Sequence, residues 1–182
     1  LFVTDQYDAS VMRVAPEQVN GNWQGACFPF RKGLQCGAIR CEFGPDSSLL
    51  VGMTNRGWGG RGNSPYGLQR LIWTGEVQFE VHTMSARDDG FVLSFTRAVE
   101  EPGAADPTSY TLESYTYALH PDYGSNAMDG EEPRIVAAEV SADAHSVRLT
   151  VGGLRPGYVH ELHSKGVRAF TGEALLHNEA YY

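Results

Sequence analysis

The sequence predicts an all-β protein: incomplete β-propeller blades over residues 1–75, followed by an antiparallel β-sandwich over residues 76–182. Three observations lead there. Short β-rich runs bounded by turn residues recur along the whole chain. A strand–loop–strand unit near the start returns about one blade-length later. From Gln78 onward, apolar and polar residues alternate with period two. No segment carries a convincing helical pattern, and Ala174–Ala180 holds at most one short turn.

The repeat justifies the first part. Leu1-Phe2-Val3 aligns with Leu49-Leu50-Val51, an offset of 48 residues. Val11-Met12-Arg13-Val14 aligns with Leu68-Gln69-Arg70-Leu71, an offset of 57. The second unit has therefore gained nine residues, within Arg56 to Pro65. Gly44-Pro45-Asp46-Ser47-Ser48 reads as the turn between strands Ile39–Phe43 and Leu49–Thr54. A propeller closes with about four to eight blades, so residues 1–75 are expected to be the last blades of a longer polypeptide that begins upstream of Leu1. The alternative is a small closed barrel or sandwich made by these strands alone.

Composition separates the two parts. Residues 1–75 hold all three tryptophans and all three cysteines, with seven Lys/Arg against five Asp/Glu, a net charge of +2. Residues 76–182 hold all six histidines, with seven Lys/Arg against seventeen Asp/Glu, a net charge of −10. An acidic surface argues against general nucleic-acid binding, which needs basic patches to displace counterions. No run approaches the roughly 18 apolar residues of a membrane span, and no signal peptide is visible.

In the second part, Phe91, Leu93 and Phe95 form one apolar face, and Val147, Leu149 and Val151 another. Tyr158, His160 and Leu162 alternate with Val159, Glu161 and His163. Asp106-Pro107-Thr108-Ser109 leads into a strand over Tyr110–Leu119, and Gly152-Gly153-Leu154-Arg155-Pro156-Gly157 is a tight connection. Strands of this length and spacing predict an antiparallel sandwich.

Two resemblances add to this reading. GFVLSFTRAVEEPGAADPTSYTL, SVRLTVGGLRPGYVHELH and GVRAFTGEALL resemble bacterial immunoglobulin-like modules of surface and secreted proteins, which act as spacers or adhesion units. QGACFPFR, GPDSSLLVGMTNRGWGGRG, PYGLQRLIWTG and FEVHTM resemble the C-terminal region of large secreted bacterial proteins with a glucose/sorbosone-dehydrogenase-like β-propeller. That second resemblance implies a fragment of a quinone-dependent sugar or alcohol dehydrogenase, secreted or periplasmic and itself not catalytic alone. Quinone, calcium or haem would belong to the parent protein and no cofactor to this piece. The haem-attachment pattern Cys-x-x-Cys-His is absent, since Cys27, Cys36 and Cys41 lack the spacing. The implied partners are the missing blades or another copy of the chain, with carbohydrate as a ligand class. The alternative function is a non-catalytic carbohydrate- or protein-binding or structural module.

The enlarged loop supplies the candidate site. Arg56, Trp58, Arg61 and Tyr66 offer bidentate donors and flat apolar faces for a sugar or quinone, while the glycines admit close backbone approach. The plainer role is a plug between blades, with arginines stacked on Trp58. Trp23 and the segment Gln24–Arg31 read the same two ways. Cys27–Cys41 or Cys27–Cys36 are candidate disulfides, against three free thiols. Asp5 and Asp8, in the short loop equivalent to the long one, would meet a cation or make the turn. His160 and His163 lie on opposite faces of a strand and form no local metal clamp. No metal ligand set, nucleophile–base pair or phosphate loop follows from spacing.

Overall fold

A computed structural model describes all residues, Leu1–Tyr182. Fourteen strands form in chain order. The first six are β1 (Phe2–Asp5), β2 (Ser10–Val19), β3 (Asn22–Arg31), β4 (Ala38–Phe43), β5 (Leu49–Thr54) and β6 (Tyr66–Leu71). The remainder are β7 (Val81–Arg87), β8 (Gly90–Phe95), β9 (Thr111–Thr116), β10 (Met128–Glu131), β11 (Arg134–Val140), β12 (Ser146–Gly152), β13 (Val159–His163) and β14 (Glu179–Tyr181). Helix is confined to the four-residue α1 (Glu101–Ala104) and a 3-10 turn at Pro107–Ser109. The protein is all-β, its strand pairs are antiparallel, and no helix is long and apolar enough to cross a membrane.

The chain divides into two compact units. The first is Leu1–Ala15 with Cys27–Val77, and the second is Pro16–Ala26 with Gln78–Tyr182. The break after Val77 lies two residues from the boundary that composition marks. The excursion of Pro16–Ala26 has no signature in composition.

In the first unit, β1 pairs with β2, and β4, β5 and β6 form a three-stranded sheet in that order. Both hairpins carry the same register: Val3 faces Met12 and Val51 faces Gln69. Their faces are opposed, however. Val11 is 0% exposed and joins Ala9 in the core, whereas its aligned counterpart Leu68 is 72% exposed. The core cluster takes Ala9 and Val11 from one hairpin and Leu49, Val51 and Met53 from the other, with Leu34, Cys36 and Ala38 between them. Successive side chains on a strand point to opposite faces, so a one-residue change of facing inverts a whole strand's role. The two hairpins are therefore not equivalent repeats. They bury their rows into one shared core instead of fanning into blades, which corrects the propeller expectation for residues 1–75.

In the second unit, one sheet runs β11-β12-β8-β7. The other runs β2-β3-β14-β13-β9-β10, where β2 and β3 contribute the Pro16–Ala26 portion. The inward rows are those that alternation marks: Phe91, Leu93 and Phe95 on β8, and Val147, Leu149 and Val151 on β12. Phe91 packs on both the His160 and Tyr182 rings, at 5.5 and 5.3 Å between centroids. Tyr182 also anchors the excursion: its hydroxyl donates to Glu17 Oε1 (2.6 Å) and accepts from the Gln24 amide (2.7 Å). The same Glu17 oxygen accepts the Ala86 N–H of β7 at 2.7 Å.

Alternation puts His160 and Leu162 on one side of β13, and both are buried; His160 is only 4% exposed. Its Nε2 has no hydrogen-bond partner, and neither does the Oγ of Ser114, the residue it faces across the β9–β13 pair. Burial is the main cause that pushes the His160 pKa down, and the Arg155 charge adds to it.

Two outcomes follow from these contacts. The folded His160 gives up its proton at a lower pH than an unfolded histidine, whose ordinary value is about 6.5. The unfolded chain then binds the extra proton, so stability falls as pH drops below that value. Urea midpoints at pH 7 and pH 5.5 should show this fall, and a His160→Phe variant should show a smaller one; equal falls refute the assignment. In Glu17→Ala, the Ala86 N–H and Tyr182 hydroxyl lose their acceptor. Chemical denaturation should register a loss of about 1–3 kcal/mol.

Candidate functional site

The loop between β5 and β6 is held from within by Asn55. Its backbone N–H donates to Pro65 O (2.9 Å), and its Oδ1 accepts the Gly37 N–H (2.8 Å). Its side-chain amide donates to Ser64 O (3.2 Å) and Gly62 O (3.4 Å). The Thr54 hydroxyl accepts the Arg56 N–H at 3.0 Å. An asparagine with a turn-forming amide at the start of a glycine-rich run is the signal by which sequence could have found this role.

The loop is also tied to its surroundings. Arg61 N–H donates to Tyr7 O (2.7 Å), and Ser64 N–H donates to Gln35 O (3.1 Å). The Arg61 guanidinium meets Asp8 at 3.2 Å. Asp5 accepts the Asp8 N–H at 2.8 Å, so the Asp5–Asp8 pair makes the turn, one of the two roles open to it in the sequence. Gly60 and Gly62 allow these close approaches. A Cβ at Gly62 would sit 2.4 Å from Gln35 O, and one at Gly60 would sit 2.6 Å from Gln6 O; Gly62 also holds φ at +94°. The glycines serve contact between loop and body.

The four residues singled out in the sequence do not converge. Arg56 and Tyr66 line a shallow cleft with Thr54, Asn55 and Pro65. Arg61 lines a different one with Asp8, Lys32, Gln35 and Asn63. Trp58 lines neither and is 60% exposed.

Cys27, Cys36 and Cys41 are free thiols, and the Cys27–Cys41 bridge is not formed. Cys36 lies inside the core cluster and Cys41 packs against it. Burial is the largest cause raising all three thiol pKa values, which leaves them protonated and poorly nucleophilic.

The most distinctive surface in the first unit lies on β6. Leu71 packs partly against the core, whereas Tyr66, Leu68 and Arg70 project from the other face. Tyr66 is 75% exposed, and beyond the strand Ile72 and Trp73 are 64% and 72% exposed. The opposing residues on β5 are Thr54, Gly52 and Leu50. Gly52 has no side chain to cover Leu68. Arg70 forms an ion pair with Asp46 and donates to Ser48 Oγ at 3.0 Å. Bonds from Ser48, with a further contribution from Arg70, hold the Asp46 carboxyl below its usual range. The result is an apolar row broken only by a neutralised arginine. Its sequence signal was the alternation Tyr66-x-Leu68-x-Arg70-x-Ile72, hidden because β6 reads equally well as a strand entering a core.

No protein-family model matches this sequence, and no curated protein does. Solved structures of the surface-layer protein SbsC are similar. Its domains 1–6 match at 18% identity over 58% of this chain and 14% of that one, with a TM-score of 0.43. The N-terminal part of the bacterial S-layer protein SbsC matches at 18% identity over 58% of this chain and 24% of that one, with a TM-score of 0.44. A third, rSbsC(31–844), matches at 20% identity over 57% of this chain and 13% of that one, with a TM-score of 0.42. This chain thus spans less than a quarter of the length of each. These neighbours are surface-layer domains, not dehydrogenase propellers. The opposed facing of the two hairpins, which share one core instead of fanning into blades, overturns the resemblance to glucose/sorbosone-dehydrogenase-like proteins, and with it the quinoprotein-fragment reading.

The loop contacts set one expectation. Gly62→Ala combines a left-handed backbone with a backbone clash, and should destabilise by roughly 1–3 kcal/mol. Gly57, at φ +88° with open space around it, is the control. Gly57→Ala should lose only the backbone term, about 1 kcal/mol. Urea unfolding of both variants decides it, and equal losses would remove the clash from the account.

Proposed function

We propose that this chain is a non-catalytic structural and binding module of a secreted or cell-surface protein. Its first unit makes the contacts, and its second serves as an immunoglobulin-like sandwich spacer. The observation that carries the reading is the exposed row Tyr66, Leu68 and Ile72, with Trp73 exposed beyond its end. Contiguous apolar surface on a folded domain marks a contact site for another molecule, and an open strand edge favours an extended polypeptide.

Four carboxylates that hold the fold support the same reading. Glu161 pairs with Tyr115 and His163, Glu80 with His177, and Glu17 with Tyr182 and the Ala86 amide. Asp129 accepts from Tyr158 and Arg155, both at 2.6 Å. On this reading the module works without quinone, calcium or haem; Tyr66 belongs to the contact surface, Arg56 flanks it and Arg61 fixes the loop.

The test is retention of the chain on immobilised extended apolar peptides and on a glycan array. Peptide retention that disappears in Leu68→Asp is expected. Glycan retention that survives Leu68→Asp but is lost in Trp58→Ala would replace the polypeptide reading with a carbohydrate one. Peptide retention unchanged in Leu68→Asp would move the contact off this row.

A further inference from the structure

The β6 edge has a regular hydrogen-bonding phase. Asn55 N–H donates to Pro65 O, and this bond fixes which residues of the hairpin face each other as bonded pairs. In an antiparallel ladder such pairs alternate. Gly67, Gln69 and Leu71 therefore direct their N–H and C=O groups to Met53, Val51 and Leu49. Tyr66, Leu68 and Arg70 direct theirs to the open side, because β6 ends the sheet order β4-β5-β6. Only a long bond from the Gln35 amide reaches the Tyr66 carbonyl, at 3.4 Å. An edge of this kind, with no proline or inward charge to block it, is a template for strand pairing.

We propose that β6 pairs with β6 of a second copy, antiparallel about a two-fold axis at Gln69, to join two three-stranded sheets into one of six strands. The inference rests on the contact-surface reading above and names its occupant.

Three arguments select a second copy in this register. First, centring on Gln69 sets Tyr66 opposite Ile72 of the other copy and Leu68 opposite Arg70, so all four outer residues gain a partner. Centring on Arg70 would carry Tyr66 opposite Thr74, and centring on Leu68 would carry Ile72 opposite Ser64, each losing the Tyr66–Ile72 pair. Second, the pairing joins residues whose backbone groups already point outward. Third, the edge does not repel its own copy, because Asp46 neutralises Arg70. The exposed portions of Tyr66, Leu68 and Ile72 offer roughly 400 Å² per copy, from typical side-chain areas. The total of about 800 Å² is that of a weak, reversible contact, to which the backbone bonds of the shared ladder add. An isologous two-fold contact is also the commonest way in which identical chains associate.

The experiment uses the full chain. Sedimentation velocity across a dilution series should give a dimer that dissociates on dilution. Leu68→Lys places a charge on the edge and should yield a monomer with an unchanged circular dichroism spectrum. Val136→Lys, on exposed strand β11, should leave the dimer intact. In a mixture of isotope-labelled and unlabelled wild type, intermolecular NOEs should connect Leu68 with Arg70 and Tyr66 with Ile72. A wild-type monomer at every concentration overturns the inference, as does a dimer that survives Leu68→Lys or shows NOEs elsewhere. Peptide retention on the row is read separately, so self-pairing can fail while the contact-surface reading stands.

Discussion

The first unit depends on one packing contact: Ala9 and Val11 of one hairpin against Leu49, Val51 and Met53 of the other. A unit this small buries a limited apolar surface, so both hairpins must commit their inward rows to a single core. That requirement fixes the facing of every strand around it. It draws Leu34, Cys36 and Ala38 into the same core, and it leaves the opposite row of β6 with nothing of its own to cover it.

The long loop follows from the same constraint. It lies against the Gln6–Asp8 turn and the Gln35–Gly37 segment, with Asn55 bonding in three directions and Arg61 held at both its backbone and its guanidinium. Glycines at 60 and 62 make that contact sterically possible. An insertion that looks like a ligand loop in the sequence is thus a brace over one end of the core. The free apolar surface sits on the strand that the loop delivers.

Much of the fold was legible because alternation is a strong signal. The β5, β8, β12 and β13 segments lie within a residue or two of where the pattern puts them, and the all-β class follows directly. What escaped was mostly a matter of facing. The aligned triplets Leu1–Val3 and Leu49–Val51 look alike in sequence, but which residue of each turns inward is decided by the opposing layer. The same limitation hid His160, whose burial comes from Phe91 on the other sheet. Within the candidate site, Arg56, Trp58, Arg61 and Tyr66 were read as ligand contacts of one loop, and the fold spreads them over separate surfaces. Asn55 and the outer row were not legible, because their roles depend on partners distant in sequence.

The excursion of Pro16–Ala26 makes the second unit discontinuous. Glu17 and Gln24 meet Tyr182 across separations of 165 and 158 residues, with most of the first unit's chain lying in between. Contacts this distant in sequence close late and slowly. No single cut separates the units: cleavage after Val77 leaves Glu17 and Gln24 on the wrong piece. The first unit can gather its core well before the second is complete. The excursion strand, made early, therefore lacks these partners until the Tyr182 end of the sandwich is present.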